Sequence, residues 1–136
     1  MAIDYLCPIC RGQLRIVNSI VISVKTKSHK KGLLFLNQAI GNYEKITHPS
    51  FEIKEGDELT AFCPICHTTL NREENPQLVK LVMIDEKKAE VDVFFSIVVG
   101  EECTYVVKDK IVHEVGPDAK LYDKYFDIPD QDRKYL

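Results

Sequence analysis

The tetrapeptide Cys-Pro-Ile-Cys occurs twice, at residues 7–10 and 63–66, and no other feature constrains the fold of this chain as tightly. Two cysteines separated by two residues can turn both sulfurs toward one point, because the backbone between them forms a tight turn. Proline after the first cysteine presets φ near the value that turn needs. The N–H groups that follow then point at the first sulfur and favour its thiolate. Each word therefore supplies two ligands. Together Cys7, Cys10, Cys63 and Cys66 form a tetrahedral set of four thiolates, the donor set of a closed structural zinc site. His67, next to Cys66, is the alternative fourth ligand.

The two words are separated by 52 residues, far more than in a compact zinc finger, so the chain must fold a good deal of structure before its two halves meet. Metal binding and folding are then coupled, with the site worth on the order of 10 kcal/mol in apparent terms. Two close pairs in a chain without a secretion signal read as metal ligands in preference to disulfides. The fifth cysteine, Cys103, stands beside Glu101 and Glu102, which would raise a thiol pKa, and reads as a packed thiol. No apolar run is long enough to cross a bilayer, and MAIDYLCPIC lacks the basic and then apolar order of a signal peptide. The expected location is the cytoplasm, with no membrane partner.

The repeat extends past the cysteines: CPICRGQL at 7–14 aligns with CPICHTTL at 63–70, with Leu14 and Leu70 each four residues beyond the last cysteine. This pair of knuckles resembles those of the zinc-ribbon and rubredoxin-like families, in which each knuckle leads into a strand. The resemblance is confined to these two segments, and it implies a fold element and a metal. Those families often carry glycine directly after the second cysteine, where Arg11 and His67 stand here. The rubredoxin-like variant implies iron in place of zinc, and electron transfer.

Between the knuckles, LRIVNSIVISVKTK reads as one long strand or two short ones, residues 25–31 as a polar loop, and residues 33–36 as a further strand. Gly41-Asn42 and Glu55-Gly56-Asp57 mark turns, and Leu59–Phe62 delivers the second knuckle. NREENPQ, at 71–77, is the candidate boundary between a ribbon-like part (1–70) and a second part (71–136), although the two can also fold as one unit. In the second part QLVKLVMID, EVDVFFSIVVG, CTYVVK and KIVHEVG are four strand-like runs spaced as a meander. VDVFFSIVV is too continuously apolar for a strand with a wet face and is expected to be central. Leu121, Tyr122, Tyr125 and Phe126 lie one helical turn apart, before Pro129. The expected class is thus mainly β: a zinc-ribbon-like part with a long β insertion, an antiparallel β-meander, and a short C-terminal helix.

Charge is divided unevenly. Residues 1–70 carry 8 Lys/Arg against 6 Asp/Glu and residues 71–136 carry 10 against 15, which argues against nonspecific coating of nucleic acid. Lys25, Lys27, Lys30 and Lys31, with Arg11, could still contact phosphates. Neither a nucleophile motif, a phosphate loop, nor a paired-carboxylate spacing is present, and His48 and His113 lack metalloprotease spacing. The expected function is a non-catalytic zinc-bound scaffold that contacts another protein or itself. The alternatives are a nucleic-acid-binding ribbon using Arg11 and the lysine loop, and an iron electron carrier.

Overall fold

The structure is a computed structural model and describes residues 3–47, 51, 53–108, 111–118 and 122. Ten strands follow in chain order: β1 (Asp4–Leu6), β2 (Arg15–Ile16), β3 (Ser19–Lys25), β4 (Lys31–Asn37), β5 (Lys45–Ile46), β6 (Thr60–Phe62), β7 (Leu78–Ile84), β8 (Glu90–Ser96), β9 (Thr104–Lys108) and β10 (Ile111–Val115). They form two antiparallel sheets. The first has the order β1-β7-β8-β9-β10, and the second has the order β2-β3-β4-β5 with β6 also paired to β3.

The four runs of the second half form the expected meander, because short polar turns can join only antiparallel neighbours. At the β7–β8 turn Asp85 Oδ1 accepts the N–H groups of Lys87 and Ala89, and Lys88 takes the left-handed φ of 63° that closes it. Strand β8 is third of five, in agreement with its continuous apolar run. In the first half, Val17 and Asn18 break LRIVNSIVISVK into β2 and β3, with Val17 at φ 56°. Gly56, at φ 90°, turns the chain where Glu55-Gly56-Asp57 was expected to.

Alternation in each strand sets two faces. Ile20, Ile22, Val24, Leu34 and Ala61 of the second sheet meet Tyr5, Val79, Leu81, Met83, Val91 and Val93 of the first in one buried core. The opposite face of the meander holds a smaller cluster of Leu78, Phe94, Cys103, Tyr105 and Tyr122. Tyr122 fits there because its hydroxyl is satisfied: it donates to Glu101 Oε1, which also accepts from Ser96 Oγ, while Tyr105 OH accepts the Tyr122 N–H. Burial is the main cause that pushes the Cys103 thiol up to about 12, with Glu101 adding to it. The proposed C-terminal helix lies, apart from Tyr122, outside the described residues, as does His48. Among the described residues no helix is long and apolar enough to cross a membrane.

Replacing Tyr122 by Ala empties the centre of the smaller cluster and leaves Glu101 with one donor fewer. Urea unfolding of the variant is expected to show a loss of about 3 kcal/mol.

Candidate metal centre

The two knuckles sit where the sheets exchange chain. Knuckle 1 is entered from β1, which pairs with β7 in the first sheet, and it leaves through Leu14 into β2, which pairs with β3 in the second. Knuckle 2 is entered from β6, on the same β3, and it leaves toward β7, where Asn71 bridges Val79 and Lys80 N–H reaches Leu70 O. β2 and β6 occupy successive lengths of one edge of β3, so both words hang from the same strand.

Their hydrogen bonds repeat at a constant offset. Cys7 N–H donates to Gly12 O and Cys63 N–H to Thr68 O; Arg11 N–H donates to Cys7 O and His67 N–H to Cys63 O; Leu14 N–H donates to Tyr5 O and Leu70 N–H to Ala61 O. The bridges Leu6↔Gln13 and Phe62↔Thr69 match in the same way. Leu14 and Leu70 are both buried and anchor the two loops in the core. Strand β1 has no sequence signal of its own strength, but the repeat contains one: since β6 leads into the second word, an equivalent strand before the first is implied.

At the tips the backbone turns inward on sulfur, as the spacing requires. Ile9 and Cys10 N–H groups lie 3.4 and 3.5 Å from Cys7 Sγ, and those of Ile65 and Cys66 lie 3.3 and 3.4 Å from Cys63 Sγ. Gly12 N–H adds a contact to Cys10 Sγ at 3.3 Å. Gly12 is also where the knuckles touch, since a Cβ there would stand 2.4 Å from Ile65 Cδ1 and 3.2 Å from Cys10 Sγ.

All four sulfurs lie within 4.8 Å of one another, and the cross-knuckle pairs Cys7–Cys66 and Cys10–Cys63 are each 3.8 Å apart. Disulfide sulfurs stand at about 2.05 Å, so these are not bonded. Ligands about 2.3 Å from a central zinc stand about 3.8 Å apart along a tetrahedral edge, so the group fits a metal ion of that size. A tetrahedral four-sulfur set suits zinc and iron alike. Cys7 and Cys63 are buried, while Cys10 and Cys66 lie at the surface.

Burial pushes the Cys7 thiol up to about 12, against the N–H groups of Cys10 and Ile9. At Cys63 burial also acts upward, but the N–H groups of Cys66 and Ile65, together with the Cys7 thiol, outweigh it and hold its pKa below the usual thiol range. Four crowded sulfurs cannot all ionise unaided. A divalent cation removes that conflict, and its uptake releases protons.

Arg11 and His67 have φ values of 63° and 65°. This left-handed region, which costs a non-glycine residue about 1–2 kcal/mol, is the physical reason glycine suits the position after the second cysteine.

The basic residues do not converge. Arg11 pairs with Glu90 at the start of β8, whereas Lys27 Nζ reaches Glu58 Oε2 at 2.7 Å, and Glu58 bridges Val98 beyond the other end of that strand. Those sites are separated by the length of β8, roughly 20 Å or more. Lys25, Lys27, Lys30 and Lys31 occupy the β3–β4 hairpin and its flanks, with Lys25 Nζ lying 5.8 Å from the centre of the Phe62 ring. No protein-family model matches the chain, and it matches neither a curated protein nor a solved structure.

His67→Gly removes the left-handed penalty without touching a ligand. It is expected to raise the unfolding free energy of the metal-loaded protein by about 0.5–1 kcal/mol, after the extra chain entropy of glycine is set against the gain. Arg11→Gly is expected to gain less in the same denaturation experiment, because it also forfeits the pairing with Glu90.

Proposed function

We propose that this protein is a non-catalytic scaffold in which one zinc ion, held by Cys7, Cys10, Cys63 and Cys66, fixes two β-sheets against each other for contact with another protein. The observation that carries this is the 3.8 Å separation of sulfurs from opposite knuckles, which brings cysteines 53 and 59 positions apart in the chain to the edge length of one tetrahedron. Four protein thiolates fill the coordination shell and leave no position for a reacting water. His67 is not needed as a ligand, because Cys66 already stands within the cluster.

The surface best suited to the partner is the pair of knuckle tips. Ile9 and Ile65, at equivalent places in the two words, are 69% and 54% exposed on either side of the centre. Paired apolar side chains that remain largely exposed, on a tight turn, lose little entropy on docking. Iron at the same sulfurs would instead make the exposed tips an electron-transfer surface, which the metal itself would reveal.

Protein purified without added metal is expected to contain about one zinc per chain and to be colourless. Cys63→Ser is expected to lose both the zinc and cooperative unfolding, since the site binds in the folded state alone. Coloured, redox-active protein containing iron would replace the scaffold by an electron carrier, and a metal-free protein that unfolds cooperatively would remove the zinc altogether.

A further inference from the structure

The two sheets differ on their outer sides. Tyr122 packs over the outer face of the meander, whereas the outer face of the second sheet keeps large apolar side chains in solvent, among them Leu33 and Ile46, the latter 63% exposed. Strand register shows what this face presents. Val21 lies opposite Phe35, which lies opposite Ile46; Ser23 lies opposite both Phe62 and Leu33; Lys25 lies opposite both Thr60 and Lys31. Partners across an antiparallel ladder point to the same side, so two phenyl rings, Phe35 and Phe62, share this face with a row of lysine at its hairpin end.

The charge of the sheet is one-sided. Its five strands contain Arg15, Lys25, Lys31 and Lys45 and no Asp or Glu, whereas the strands of the first sheet contain Asp4, Glu90, Asp92 and Glu114 against Lys80 and Lys108. Arg15 is held by Asp4, and Lys45 is opposite Leu36 on the core side. Lys25 and Lys31 remain on the outer face, with Lys30 next to them in the hairpin. A ligand that matches this surface carries planar or apolar groups together with negative charge at the hairpin end.

We propose that this face binds single-stranded nucleic acid, with Phe35 and Phe62 as platforms for bases and with Lys25, which stands over the Phe62 ring in the free protein, moving to join Lys30 and Lys31 on the phosphates. The rings are two strands and one row apart, about 12 Å. That exceeds the 3.4 Å between stacked neighbours, so each ring takes its own unstacked base. Both rings are half-buried, which holds them in place before binding. The bases of a duplex are stacked inward and do not offer their faces to a sheet, so the surface selects single strands. The site is distinct from the knuckle tips and goes beyond the protein contact proposed above.

The test is fluorescence anisotropy of the zinc-loaded full chain with a labelled oligothymidylate and with a duplex of equal length, over a range of salt. Binding of the single strand in preference to the duplex is expected, with a log–log salt slope of about −2, as neutralising three phosphates requires. Phe62→Ala is expected to weaken it roughly 5- to 150-fold. Lys31→Glu, at an exposed position that packs on nothing in the core, keeps the test valid if the aromatic variant unfolds, and it should weaken binding and flatten the slope. Absence of binding at low salt, equal binding of duplex, or retention of affinity in Lys31→Glu would overturn the proposal. So would concentration-dependent self-association that Ile46→Asp abolishes, which would show that a second copy covers the face.

Discussion

The rest of the structure depends on one crowded point where four sulfurs from two distant turns come within contact range. Each knuckle is a crossing between the sheets, one carrying the chain from β1 to β2 and the other from β6 toward β7. The four sulfurs therefore stand at the corner at which the layers join, with Cys7 and Cys63 part of the core between them. Hydrophobic burial closes the sandwich, but burial is non-directional and does not by itself choose how two sheets meet. A tetrahedral ion at these four sulfurs would choose, because its ligands have few allowed directions.

Much of this was legible in the residues, and for identifiable reasons. The knuckles could be read because metal chemistry demands a particular residue at a particular spacing. The meander could be read because β-branched and aromatic runs of suitable length alternate with polar turns. Strand β1 was missed, since three residues next to a knuckle carry little pattern of their own, although Tyr5 occupies the place that Ala61 fills in the second copy. The outer face of the second sheet could not be read at all. Phe35 and Phe62 are 27 positions apart in the chain, and only the pairing of β3 with both β4 and β6 sets them on one side.

The departures from the glycine rule are informative about where stability comes from. Arg11 and His67 both hold a backbone conformation that most side chains avoid. A short loop with nothing else to hold it would not keep two such residues in place. Here the hydrogen bonds that close each loop, and the leucine that follows each, over-determine the turn, so the unfavourable φ persists.

The hanging of both knuckles from β3 has a consequence for biosynthesis. During translation Cys7 and Cys10 leave the ribosome first and can hold a cation only as an incomplete, exchangeable half-site. The β3–β4 hairpin is complete in the chain before β6 is reached, and the same β3 fixes the register of β6. The pairing of β6 with β3 is what sets the second pair of sulfurs beside the first. A metal ion at that corner would therefore be held by all four sulfurs only in chains whose β6 has found its place on β3.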